Sequence, residues 1–288
     1  MLAALALTVQ VADVTLVIAG ALVTLAYVVW LTREGRWQDP LAGALLPQRA
    51  PSVLSAILLA VAFFFVPVLL LSAMMKGQAA AALTNPGSDA WHRAQTVDAA
   101  AKCGLSLLMI VLLTRTGALK TTRGWALVRG VGAGFVGFMV VVPVLTLQLK
   151  ATTVIWEWVA PTEIPPEHPV LLALPTSAWG PWGLVQLLVG AIVVAPLAEE
   201  LLFRGILLEA FCGHLQARWT GIVTAAVAFG WVHSAQPQAV LPMATFGVLL
   251  GYLRLRTGSL WPCIVVHMLF NARTIVFKLL VPDVPPVT

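Results

Sequence analysis

Two adjacent glutamates, Glu199 and Glu200, stand with Arg204 in the stretch APLAEELLFRG, at the end of a long apolar run. Ionisable side chains at membrane depth are costly to desolvate, so by default they mark a functional site. On a helix Glu200 and Arg204 are four residues apart and share a face, where they can form an ion pair. Glu199 is turned by about 100° from its neighbour and cannot easily share that arginine. The spacing reads as a structural pair, Glu200–Arg204, beside a working carboxylate, Glu199. Downstream, His233 closes AVAFGWVH with Phe229 one turn earlier on its face, and His267 and Asn271 share one helix face in VVHMLFNA. Together these groups could hydrolyse a peptide bond. A buried carboxylate can take a proton from water while a histidine holds and polarises that water. An amide and an imidazole N–H can donate to the developing oxyanion. Ser234 adjoins His233, but neighbours on a helix point in different directions, so direct attack by water is favoured over a serine nucleophile.

Helices that cross a bilayer must carry these residues. Of the 288 residues 60% are hydrophobic and 10% charged, and the mean hydropathy is +0.93. Such a composition lies far outside the soluble range. The apolar residues come in blocks of about 20, the length that spans the hydrocarbon core as a helix. The sequence predicts an all-α integral membrane protein, a bundle of about eight transmembrane helices with the active site among the C-terminal ones. The first block lacks the basic region and cleavage site of a signal peptide and reads as a retained span. Spans follow over 53–75, 96–113, from Arg129 to 159, and from Leu184 to the carboxylates, continuing helically toward Glu209. The last three expected spans are 221–233, 240–255 and 261–280.

Basic residues cluster between the apolar runs, at Arg33/Arg36/Arg49, from Arg115 through Lys120 and Arg123 to Arg129, at Arg218, and at Arg254/Arg256. With eight spans they share one side, the cytoplasmic one, and the acidic loop from Glu157 to Glu167 and both termini lie on the other. Lys76, Arg93, Arg273 and Lys278 run against that rule. The net charge of +5 is therefore topological, and without aromatics interleaved among the bases it excludes nucleic acid as a partner. Cys103, Cys212 and Cys263 have neither disulfide nor zinc spacing and read as packing residues. Asp98 and Lys102 are expected to pair at a membrane edge, and Trp179 and Trp182 to mark the interface. Gly130, Gly132, Gly134 and Gly137, like Gly247 and Gly251, suit close helix packing. His92, His168 and His214 read as solvated, and Glu209 as a helix-end residue with no assigned role.

The segments EELLFR (199–204), FGWVH (229–233) and HMLFN (267–271) match the pattern EExxxR, FxxxH and HxxxN. In this the chain resembles the CPBP family of intramembrane proteases, which includes the type II CAAX prenyl endopeptidases and bacterial bacteriocin-processing or immunity proteins. GYLRLRTGSLWPCIVVH is similar to the family's stretch between the second and third motifs. The resemblance implies that Glu199 and His233 activate the hydrolytic water and that His267 and Asn271 form the oxyanion side. Glu200 with Arg204 would brace them, and Phe229 would pack beside the site. It divides the chain into N-terminal transmembrane helices over 1–160 and a CPBP-like catalytic region over 181–288. The expected location is the bacterial cytoplasmic membrane, and the expected partners are the lipid bilayer and a peptide or membrane-protein substrate.

Two other readings compete. Glu199, His233 and His267 are the ligand types of a two-histidine, one-glutamate zinc site, although HExxH is absent and Asn271 would be an unusual ligand. On the favoured reading no cofactor is required. A non-catalytic binding or immunity protein, or a proton-linked transporter, could also use intramembrane Glu and His. A transporter of that kind would show broken helices in both halves, whereas the polar residues here concentrate in the C-terminal half.

Overall fold

A bilayer offers no water to free backbone groups, so a chain that spans it as single segments must close its hydrogen bonds within helices. The computed structural model describes residues 2–44, 50–75, 84–116, 125–163, 166–175 and 178–281, and among these it is all helix with no strand. The helices are α1 (Leu2–Arg33), α2 (Val53–Met75), α3 (Asp89–Thr116) and α4 (Trp125–Val159). A short α5 (Pro169–Ala173) precedes the long α6 (Gly180–Leu215), and α7 (Arg218–Trp231), α8 (Pro237–Thr257) and α9 (Trp261–Leu280) complete the bundle. Proline stands in the first turn of α5, α6, α8 and α9, where a missing N–H costs nothing. Gly258, at φ +66°, ends α8 in the left-handed conformation. Arg49, Lys76, Lys120, Arg123 and the proline-rich tail lie outside the described residues.

Seven of these helices are long and apolar enough to cross a membrane, one fewer than the sequence predicts. The difference is the expected span over 221–233. It lies in α7, whose 14 residues reach only about 21 Å before the turn at Val232. The sidedness of the flanking basic residues does not depend on it. Arg254, near the end of α8, reaches back to Glu209 near the end of α6 at 2.6 Å. The α7–α8 hairpin thus leaves and returns to the same end of the bundle, keeping Arg218, Arg254 and Arg256 together.

Three residues that break the charge rule are neutralised by acidic partners. Arg93 pairs with Asp89, Arg273 holds Asp13 at 2.6 Å, and Lys278 holds Glu167 at 2.9 Å. Asp98 and Lys102 form the expected pair at 2.7 Å. His92, read as solvated, is instead fully buried. Its Nδ1 lies 2.6 Å from Gln186 Oε1, and its ring stacks on Trp179, so that tryptophan does packing work as well. Glu209 is likewise buried rather than a free helix end.

The core is continuous between the two halves of the chain. Phe63, Met109, Leu113, Val141 and Val142 pack in one cluster with Leu202, Phe229, Phe246 and Val266. The close approach of α4 to α9 needs small residues, since a Cβ on Gly134 would fall 2.7 Å from the Cβ of Val265. Gly137 meets Val266 in the same way at 3.0 Å, and both contacts seat the helix that carries His267. Gly132, by contrast, faces open space. Gly247 and Gly251 pack on Ala226 and Ile222 of α7, as their spacing predicts.

Candidate active site

The helix that carries the glutamates is not uniform. Within α6 the turns Gly190–Val194 and Leu201–Leu207 are π-helical, one on each side of the α-turn Ala195–Glu200. Wide turns of this kind gather at functional sites because they re-aim the side chains around them. The first has a cause in the sequence. Ala195 N–H bonds the Gly190 carbonyl in π register, and the next donor in that register would be residue 196, bonding Ala191. Residue 196 is proline and has no N–H. The Ala191 carbonyl is instead met from another helix, by Asn271 Nδ2 at 2.8 Å. That bond uses one amide hydrogen of Asn271 and leaves the second to donate elsewhere.

Because α6 runs on to Leu215, Glu199 lies in the interior of the helix rather than at its end. At that depth Glu199 meets His267 of α9. Glu200 is completely buried, and its Oε1 accepts from Arg204 Nη1 at 3.0 Å and from His267 Nδ1 at 2.8 Å. Glu199 keeps about a fifth of its side chain accessible, and its Oε2 lies 3.9 Å from the other nitrogen of His267. One imidazole therefore bridges the two carboxylates, one closed and one open. An ionised carboxylate can only accept, so His267 carries a proton on Nδ1 and turns Nε2 toward Glu199.

His233 is fixed in a similar way. Its Nδ1 donates to the Phe229 carbonyl at 2.8 Å, which leaves Nε2 as the working nitrogen. The fully buried Phe229 ring seats the groups around it, 4.9 Å from the His233 ring and 5.9 Å from His267. Arg204 lies over the same ring, its Cζ 4.4 Å from the centroid, adding a cation–π contact to its ion pair. Phe246 of α8 closes the other side at 5.2 Å from His267. The sequence reading missed it, since a phenylalanine in an apolar run carries no distinguishing signal.

The structure brings Glu199, Glu200, Arg204 and His267 into one cluster, with Phe229 packed against it. It joins Asn271 to the first wide turn and His233 to Phe229. Among the described residues no three His, Cys, Asp or Glu side chains are gathered as a metal ion requires. Cys212 and Cys263 are buried and Cys103 is exposed, all three as free thiols.

Residues 181–273 match the family model of type II CAAX prenyl endopeptidase Rce1-like proteins, and the match spans all three motifs. It is consistent with the resemblance to CPBP intramembrane proteases. It supports a membrane-embedded protease, a hydrolase of the CAAX type in general, acting on peptide at a lipid bilayer. No curated protein and no solved structure matches the chain.

Proposed function

We propose that the protein is an intramembrane endopeptidase that hydrolyses a peptide bond with a water activated by Glu199 and His233. The observation that carries this reading is the pairing of a closed carboxylate with an open one across His267. Glu200, tied to Arg204, holds His267, and Glu199 keeps its access. Water attacks the scissile carbonyl carbon as Glu199 takes its proton, with His233 Nε2 accepting from the same water. His267, when Nε2 carries a proton, and the second Nδ2–H of Asn271 donate to the oxyanion. The intermediate collapses, the C–N bond breaks, and Glu199 returns its proton to the leaving amine. The substrate is a peptide or membrane protein that reaches Glu199 from the membrane or its edge, and the membrane is the bacterial cytoplasmic one.

One observation favours a second reading. Both histidines have Nδ1 fixed by an oxygen acceptor, which leaves Nε2 as the nitrogen able to bind a metal, as in metal-ligating histidines. Under that reading Glu199, His233 and His267, which are not gathered as a metal ion requires in this structure, would have to close on zinc. Cleavage of a quenched-fluorescent peptide library in detergent separates the two. Activity lost in Glu199→Gln and indifferent to chelator supports the water mechanism. Loss on chelation with rescue by zinc moves the assignment to the metalloprotease, and cleavage retained by a folded Glu199→Gln overturns both.

A further inference from the structure

The chain has only two tyrosines, and they meet. Tyr27 of α1 and Tyr252 of α8 lie 2.5 Å apart, hydroxyl to hydroxyl, and Tyr252 also donates to the Pro40 carbonyl at 3.4 Å. An indole stands beside each phenol. Trp30 stacks on Tyr27 with 5.6 Å between ring centroids, and Trp219, in the first turn of α7, stacks on Tyr252 at 6.3 Å. The loop that follows α1 is fixed over this end of the bundle by Leu41, which is fully buried with Leu208, Ile222 and Leu255. Helix α1, its loop, α7 and α8 therefore converge at one point, on the end of the bundle that carries the clustered arginines.

Two guanidiniums flank that point. Arg36, in the loop, places its Cζ 5.7 Å from the centroid of the Trp30 ring. Arg256 is four residues past Tyr252, one turn further along the same face of α8. The charges of both reach the Tyr27 hydroxyl. Both side chains are half-buried, and among the described residues neither has a carboxylate partner. The acids of the loop do not supply one. Asp39 accepts from the Leu41 N–H at 3.2 Å, and Glu34 forms no ion pair among the described residues. In this the two differ from Arg93, Arg273 and Lys278, each of which carries an acid of its own. Two like charges held near one another repel, and an anion between them removes that cost.

We propose that Arg36 and Arg256 bind the phosphate of one anionic phospholipid at this edge of the bundle. A phosphate set between them takes the forked N–H donors of both guanidiniums. Trp30 and Trp219, each about two-fifths exposed, offer the amphipathic rings that favour the headgroup level of a bilayer. A zwitterionic lipid brings an ammonium as well, which two arginines repel. The bound lipid joins the loop after α1 to the end of α8 across the Tyr27–Tyr252 contact. It thereby fastens the N-terminal helices to the region that carries the three motifs. None of this depends on the hydrolytic reading above.

The experiment is an NMR titration of the full chain in neutral detergent with carbon-labelled tyrosine, whose two signals are assigned with Tyr27→Phe. Short-chain phosphatidylglycerol moves both signals and saturates. Phosphatidylcholine of the same chains gives no saturable shift, and inorganic phosphate leaves the signals in place. Arg36→Gln and Arg256→Gln each raise the half-saturation concentration about fivefold, the share of one basic side chain at an anionic surface. Arg36→Lys and Arg256→Lys, which keep the charge and lose the fork, raise it less, and they serve where a glutamine variant fails to fold. Arg115→Gln combined with Arg129→Gln, at two exposed positions on the same end, leaves it unchanged. Equal saturation by phosphatidylcholine, or an equal loss in the Arg115/Arg129 variant, would reduce the effect to general surface attraction and overturn the site. Saturation by inorganic phosphate would make the occupant a free anion rather than a lipid. Absence of any saturable shift with phosphatidylglycerol would refute the site outright.

Discussion

Two buried carboxylate–arginine pairs share α6, nine residues apart, and they differ in what surrounds them. Glu200–Arg204 closes within the helix, and Glu200 also takes a hydrogen bond from His267 of α9. Glu209–Arg254 joins α6 to α8 at 2.6 Å, beside the apolar cluster of Leu208, Cys212, Ile222 and Leu255. In both, neither charged side chain is more than a tenth exposed. The same chemistry thus braces a site in one place and fastens two helices in the other. What distinguishes the first is the partly accessible Glu199 one residue away, with a histidine held between the two glutamates. A buried ion pair alone carries no sign of catalysis; an open carboxylate set against a closed one does.

The comparison is broken most directly by acting on its two ends. Glu199→Gln keeps the shape of the side chain but cannot take a proton, so cleavage should fall about a thousandfold with an unchanged melting profile in detergent. Arg254→Leu should do the reverse. It strands a buried carboxylate, which costs about 3 kcal/mol or more, and thermal unfolding should move down while the folded fraction cleaves normally. Adding Glu209→Leu to that variant removes the stranded charge and should recover most of the loss. A collapse of specific activity in Arg254→Leu would show that the Glu209–Arg254 pair is part of the site after all. Asn271→Ala tests the first wide turn, since it removes the proposed oxyanion donor and leaves the Ala191 carbonyl unmet. Cleavage should fall about a hundredfold, mostly in kcat.

Much of this was legible in the sequence because its signals are local. A helical repeat of four puts Glu200 with Arg204 and Glu199 off their face, and the structure keeps that division. Blocks of apolar residues gave the all-helical bundle, and the difference of one span came from α7, where an apolar run of span-like composition is cut short by a turn. What stayed hidden depends on contacts distant in the chain. Nothing about Pro196 announces that its missing N–H frees the carbonyl on which Asn271 docks, 80 residues later. His92 looked like a loop residue because its burial is supplied by Gln186 and Trp179, and Glu209 looked idle because Arg254 lies 45 residues on. His267 between two carboxylates was equally unreadable, since face periodicity ranks residues within a helix and says nothing of the neighbouring one.

The smallest effect is expected at a third carboxylate–arginine pair. Arg273 grips Asp13 of α1 with Nε at 2.6 Å and Nη2 at 2.8 Å, only two residues beyond Asn271. Two residues along a helix turn a side chain by about 200°, so Arg273 faces α1 while Asn271 faces α6. Both charged side chains are about a fifth exposed, which places the pair between the sealed ones of α6 and an open surface pair. Asp13→Asn should therefore cost about 1 kcal/mol of stability and change cleavage less than twofold. Chain position argues for a larger effect, because Arg273 shares its helix with two candidate site residues. Side-chain direction argues for a smaller one, and direction decides which groups a reacting atom meets. A loss of cleavage as deep as that of Asn271→Ala would mean that α1 sets the angle of α9 at the site. The line between the N-terminal helices and the chemistry would then have to be redrawn to include Asp13.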